Sequence, residues 1–367
     1  MTRTFTTSAA LAAIAALSSC AEVPTAVVSP KLSVRSAKPV KTPPSGITVT
    51  ALGTLTYDGG RRSGDEGIAL ALNNGVSRSA TRVGGWTKYN SNPYHPFTWT
   101  QETGIAALSV IESRPGWVQG VSDNGVLVGE INTSTSVLPF SVTADGPMSY
   151  LPVPSGNSGS ATGINADGSC VSGHVSDGAA GQAVIWRSGV LEIVGSGGAQ
   201  GVSDDCLTVV GSTQGGAATW RNVGGTWTVE LLPARGPGST FIGPVRNTEV
   251  MDVSPSGEYI SGRRTDSASV SAVVWRRTTS GWVVTDMPAP SSYAFGVDDS
   301  GRAVGVGLDQ PMVWTRSLAG VYSGQVLPSL SRTTRGAALA INELGQIAGR
   351  STNRDGVQPV MWTLPAP

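Results

Sequence analysis

Along most of this chain the hydrophobic residues come in short aliphatic runs, broken at regular intervals by Gly, Asn, Asp and Ser. AINELGQIAG (340–349), GVDDSGRAVG (296–305), GINADGSCVSG (163–173), GVSDNGVLVG (120–129) and DVSPSGEYISG (252–262) are copies of one phrase, with weaker copies at 201–211 and 71–75. Each copy is followed by a second apolar run, and these end at Trp99, Val142, Trp186, Trp220, Trp275, Trp314 and Trp362. The six intervals from Trp99 to Trp362 average about 44 residues. Internal similarity at such a period marks a repeat architecture.

Each unit predicts four short strands. The first ends in an aliphatic residue followed by Asn73, Ser122, Asn165, Ser203, Ser254, Asp298 or Asn342. A turn closing on glycine follows, where a short polar side chain bonds the backbone and glycine supplies positive φ. The second strand is expected to end at the next glycine (Gly129, Gly173, Gly211, Gly262, Gly305 or Gly349), the third at the tryptophan, and the fourth is the run after it. Val, Ile, Thr and Trp between Gly, Asn and Asp turns is strand chemistry. Four-stranded units of this length, several times over, predict an all-β, seven-bladed β-propeller. The seventh unit stops after Trp362 without a fourth strand, and SGITVTAL (45–52) aligns with the fourth-strand segment SGWVVTDM (280–287). The N-terminal strand is therefore expected to close the ring, over a domain running from 46 to 367.

The repeats resemble the HAF (extracellular repeat) family, whose units carry an aIN..G.ivG phrase followed by paW; 340–362 and 163–186 are the clearest copies. The resemblance implies a blade and no particular activity. Blade 1 reads as lacking the second glycine, Cys206 replaces the turn glycine of blade 4, and Val142 replaces the tryptophan of blade 2.

The N-terminus reads as an address. Residues 1–20 combine a short positive start, an apolar run (9–17) and Leu17-Ser18-Ser19-Cys20. The run is the length of a secretory signal and too short to cross a bilayer of ~30 Å. The ending resembles a bacterial lipobox, which implies Cys20 as the lipid-attachment site. The expected location is extracytoplasmic, anchored to the cell envelope by that lipid, with outer-membrane sorting in a diderm host. Residues 21–45, rich in Pro, Ser, Thr and Val, read as a flexible tether.

Composition narrows the function. Glycine supplies 48 of 367 residues, about 13% against a usual ~7%, which argues against long helices. The 25 basic and 25 acidic residues cancel, and no basic stripe is present, so nucleic acid is excluded as a partner. With two histidines, His95 and His174, in different units, and acidic strings explained as turns, neither a metal nor another cofactor is assigned. No nucleophile-elbow, zincin or Walker phrase occurs, and no catalytic residue is assigned. Cys170 and Cys206 stand near equivalent turns of adjacent blades and are expected to form a disulfide in an oxidising compartment.

Symmetry supplies the candidate ligand face. Glu130, His174, Arg263 and Arg350 all directly follow the second-strand glycine, at the end where loops join the blades. Two inserts, 234–247 and 78–94, are expected near that face. The repeated tryptophans read as packing between blades, while Trp86, Trp117, Trp227 and Trp282 lie outside that series. The expected function is a monomeric, non-catalytic scaffold binding a protein or glycan. The alternative is a propeller-type hydrolase or lyase using carboxylates such as Glu130 with Arg263 or Arg350 near the channel mouth.

Overall fold

The computed structural model describes residues 46–366, except 56–65, 76, 78–79, 89–93, 109–113, 144–145, 179–180, 237–246, 267–268 and 332–334. The signal segment, Cys20, the tether and most of the 234–247 insert lie outside the described residues.

Among the described residues, twenty-eight strands form seven four-stranded antiparallel sheets, the blades of a seven-bladed β-propeller. Blade 1 holds β2 (Glu66–Leu72), β3 (Arg82–Lys88), β4 (His95–Thr100) and β5 (Gly104–Ala107). Blade 2 holds β6 (Gly116–Val121), β7 (Val126–Asn132), β8 (Val137–Thr143) and β9 (Ser149–Tyr150). Blade 3 is β10 (Ser158–Ile164), β11 (Cys170–Ser176), β12 (Gly181–Arg187) and β13 (Val190–Ser196). Blade 4 is β14 (Gly198–Val202), β15 (Thr208–Thr213), β16 (Gly216–Val223) and β17 (Thr226–Leu231). Blade 5 comprises β18 (Asn247–Val253), β19 (Tyr259–Thr265), β20 (Val270–Thr278) and β21 (Gly281–Asp286), and blade 6 β22 (Ser292–Val297), β23 (Ala303–Gly307), β24 (Gln310–Arg316) and β25 (Tyr322–Val326).

Blade 7 closes the circle. β26 (Gly336–Ile341), β27 (Gln346–Asn353) and β28 (Gly356–Thr363) take their fourth strand from β1 (Thr48–Ala51), with Val49 opposite Trp362. Ile47, Val49 and Leu52 are buried there, so the first strand of the domain covers what would be an open edge at the end of the chain.

Side-chain packing explains the phrase. Trp186, Trp275, Trp314 and Trp362 are fully buried, and each lays its ring edge over the second-strand glycine of its own blade. At Gly173, for example, an added Cβ would stand 2.0 Å from the Ser160 carbonyl and 2.8 Å from Trp186. These glycines lie inside the second strand, three residues before its end in β7 and β11, not at its end as the sequence suggests. Blade 1 also keeps the rule. Gly85 takes this position against the Ile68 carbonyl, and the glycine is hidden in the sequence because a longer connection separates Asn73 from β3. Part of the expected 78–94 insert is therefore strand. In blade 2, where Val142 replaces tryptophan, Phe140 covers Gly129 instead.

The polar residue ending each first strand is consumed by its own turn. Asn73, Ser122, Asn165, Ser203, Ser254, Asp298 and Asn342 each accept a backbone N–H from the start of the second strand, at 2.7–3.3 Å. All seven are buried. Asp298 also binds the Arg302 guanidinium. Cys206 adopts the left-handed conformation (φ 60°) of the turn glycine it replaces.

Candidate functional site

The inner strands β2, β6, β10, β14, β18, β22 and β26 surround the axis, and the channel between them has two dissimilar mouths. At one, the turns joining first and second strands meet; at the other, loops connect the blades.

The turn mouth is a closed ring of hydrogen bonds from each blade to the next. Asn74 and Gly75 N–H donate to Asp123 Oδ1 (2.7 and 2.9 Å), Asp123 N–H to the Ala166 carbonyl, and Ala166 N–H to Asp204 Oδ1 (2.9 Å). Asp204 N–H donates to the Pro255 carbonyl, and the Ser256 N–H and hydroxyl to Asp299 Oδ1. Asp299 N–H reaches Glu343 Oε1 (2.8 Å), and Glu343 N–H returns to Asn74 Oδ1 (3.1 Å). A disulfide, Cys170–Cys206, adds a covalent tie between blades 3 and 4. Asn165 Nδ2 and the Arg187 guanidinium bond Cys206 around it.

Just inside this ring lies a cavity of about 110 Å³ on the axis, lined by residues of all seven blades. Asp252 faces it. The sequence signal was available, because Asp252 stands where the other blades have Ala71, Gly120, Gly163, Gly201, Gly296 and Ala340. The Val297 N–H of blade 6 donates to Asp252 Oδ2, but burial dominates and pushes the carboxyl up to about 7. Desolvation in the narrow mouth also raises Glu343 to about 7, and raises Asp204, whose neighbours Asp123, Asp299 and Asp167 add repulsion. These acids sit opposite the face expected from the sequence.

At the loop mouth, Glu130, His174, Arg263 and Arg350 occupy one equivalent position inside β7, β11, β19 and β27, opposite Trp117, Ser160, Glu249 and Ala337 of the inner strands. Trp86, Ser212 and Val306 complete the series opposite Ile68, Gly198 and Tyr293. In all seven blades the inner strand then bulges by one residue before re-pairing. The series is split among different partners. Glu130 accepts from Gln119, which also donates to Ser160 in the next blade (3.0 Å). His174 is half-buried, and burial lowers its pKa against the opposing charge of nearby Glu130. Arg263 binds Glu249 (Nε–Oε2 2.8 Å) and lies 5.1 Å over the Tyr293 ring. Arg350 is exposed with no partner among the described residues.

Two aromatic groups at this mouth escaped the sequence reading. Tyr94 makes edge contacts with Trp86 (4.6 Å) and Trp117 (5.9 Å), with Lys88 over its ring. Tyr293 and Phe295, two residues apart on β22, stack at 5.9 Å and 7°. Trp282, in contrast, is buried, and Trp227 leans on blade 3 through Glu192 (2.6 Å).

No protein-family model matches the chain, and no curated protein matches it. Solved structures do. An oligogalacturonate lyase in complex with manganese superposes over 92% of this chain and 98% of its own, at 12% identity and a TM-score of 0.61. The oligogalacturonate lyase of Vibrio parahaemolyticus gives 10% identity and a TM-score of 0.57 over the same shares. TolB from Acinetobacter baumannii covers 71% of this chain and 66% of its own, at 13% identity and a TM-score of 0.49. The fold shared with the two lyases is the propeller. Among the described residues no group of three or more His, Cys, Asp or Glu side chains is placed to hold a metal ion.

Proposed function

We propose that this chain is a lipid-anchored, extracytoplasmic binding scaffold of the HAF-repeat kind, non-catalytic, whose loop mouth takes a glycan. One observation carries the reading. The rings of Trp86, Trp117, Tyr293 and Phe295, all half-buried, and the exposed ring of Tyr94 gather at the mouth that also presents Arg263 and Arg350, the latter without a partner among the described residues. Aromatic faces pack against the apolar faces of sugar rings, and arginine offers forked donors to hydroxyl or carboxylate oxygens. Cys20 supplies the anchor in this reading, and exchanging it for alanine moves the protein from the membrane to the soluble fraction.

A lyase or hydrolase is the second reading, favoured by the likeness to the oligogalacturonate lyases over nearly the whole chain. A glycan array probed with wild type and with a combined Glu130/Arg263/Arg350→Ala variant separates the readings. Binding by wild type that the variant loses, with every glycan recovered intact, supports the scaffold. Shortened glycans after incubation support the enzyme, and equal binding by both proteins removes this face from consideration.

A further inference from the structure

The outer strand of each blade is a sheet edge, with unpaired N–H and C=O groups that invite another strand. Six of the seven edges are short, irregular or covered. β1 and β5 have four residues and β9 has two. β13 has a register shift against β12, and β25 has only five residues, with Gly324 at its centre. Beside β21 the chain at Gly236 runs so close that a Cβ there would stand 2.1 Å from the Val284 carbonyl. β17 in blade 4 is different: six residues, TWTVEL, paired to β16 without a shift and exposed at every position except Trp227, which is half-buried against blade 3. Val229 and Leu231 are 59% and 57% exposed.

The pairing on its inner side says which groups face outward. Leu232 N–H bonds the Ala217 carbonyl, so Leu232 and the alternate residues Glu230, Thr228 and Thr226 point their backbone groups at β16. Trp227, Val229 and Leu231 therefore direct theirs to the free edge. An antiparallel copy of the same strand, related by a twofold axis through Val229, sets Val229 against its own image and Trp227 against Leu231. Every outward N–H and C=O of these three residues then finds a partner. With three residues per copy, each donating once, the ladder has about six hydrogen bonds. The same register keeps the side chains of Trp227, Val229 and Leu231 on one face of the joined sheet, so the exposed Val229 meets its own image and the exposed Leu231 lies beside the half-buried Trp227 of the other copy.

We propose that β17 is a self-association edge, at which two copies of this chain join their fourth blades into one eight-stranded sheet. This replaces the monomer expected from the sequence and does not depend on what the loop mouth binds. A contact confined to one strand pair is smaller than the ~1,200 Å² of stable interfaces, so the dimer is weak and concentration-dependent.

Sedimentation velocity over a micromolar to millimolar series tests it, using the folded domain without its anchor. Wild type is expected to move reversibly from monomer to dimer. Val229→Pro removes an outward N–H and spares the bonds to β16, so it is expected to remain monomeric with a cooperative melt like wild type. Because that variant could also disturb the blade, Val229→Cys supplies a second measurement. Directly opposed residues in a hydrogen-bonded antiparallel pair have Cα atoms ~5.5 Å apart, a separation that suits a disulfide. Val229→Cys is expected to form a reducible dimer linked Cys to Cys at that position under mild oxidation, and Thr228→Cys is not. Wild type that stays monomeric throughout the series, or equal cross-linking at the two positions, overturns the proposal.

Discussion

The two mouths of the channel are built from the same seven repeats and treat them in opposite ways. At the turn mouth the repeat supplies one interaction seven times: a residue beside each turn bonds the next blade, through a backbone carbonyl at Ala166 and Pro255 and through a side chain at Asp123, Asp204, Asp299, Glu343 and Asn74. At the loop mouth the equivalent series runs Trp86, Glu130, His174, Ser212, Arg263, Val306, Arg350, with no two neighbours alike. Uniform chemistry at repeated positions serves the ring, since each link must solve the same geometric problem. Varied chemistry at repeated positions is relieved of that problem. If the loop mouth binds as proposed, changes at the turn mouth alter stability and changes at the loop mouth alter recognition.

The largest effect is expected from the disulfide. Cys170 and Cys206 are 36 residues apart, and closing a loop of that size removes chain entropy worth about 3–4 kcal/mol from the unfolded state. A Cys170/Cys206→Ala double variant should unfold at clearly lower denaturant, while glycan binding at the opposite mouth stays at the wild-type level. Loss of binding with little loss of stability would reverse the roles assigned to the mouths.

Asp252 comes next, and its effect depends on pH. Its carboxyl is held at about 7 in the folded protein and near the usual carboxylate value when unfolded. The folded state thus holds the proton more tightly, and its stability falls as pH rises from about 4 to 7. Asp252→Asn keeps the shape without the charge. Thermal melts should show it more stable than wild type at pH 8, by on the order of 3–4 kcal/mol, with the gain disappearing at pH 4. Glu343, raised for the same reason, leaves part of the slope in place. A gain independent of pH would mean that Asp252 is not desolvated in its charged form.

A single link of the ring is worth less. Asp123→Ala removes the acceptor of two N–H groups, Asn74 and Gly75, both exposed enough for water to replace part of the loss. Chemical denaturation is expected to register about 1–2 kcal/mol.

Legibility in the sequence followed the same division. Strand number and turn chemistry could be read because the turn mouth repeats, so Asn165 or Asp298 announced its role through its copies, and ring closure because 45–52 matches the fourth-strand segment 280–287. Gly85 was missed because an enlarged turn moved it out of phase with the other glycines. Asp252 was in plain view in a column of glycine and alanine, but its cost appears only once seven inner strands enclose it. The loop-mouth positions of Glu130, His174, Arg263 and Arg350 were legible from register alone. Their partners were not: that Glu249 neutralises Arg263, or that Tyr94 joins Trp86 to Trp117, depends on how neighbouring blades face one another.

The smallest expected change in stability belongs to Arg350, and it tests the comparison most directly. Arg350 shares its position with Arg263, yet Arg263 is bound by Glu249 and stacked on Tyr293, whereas Arg350 lies in solvent opposite Ala337. Removing a partnerless exposed side chain leaves no buried group unsatisfied, so Arg350→Ala should melt within about 0.5 kcal/mol of wild type. A guanidinium with no partner among the described residues keeps its donors for a ligand. Titration with the glycan that wild type selects should therefore show affinity falling about fivefold or more, equivalent to ~1 kcal/mol. Arg350→Lys keeps the charge and loses the planar fork, so it should recover only part of the affinity if the ligand is held by paired hydrogen bonds. Full recovery by lysine would reduce the role of Arg350 to charge, and unchanged affinity in both variants would show that blade 7 lies outside the binding face.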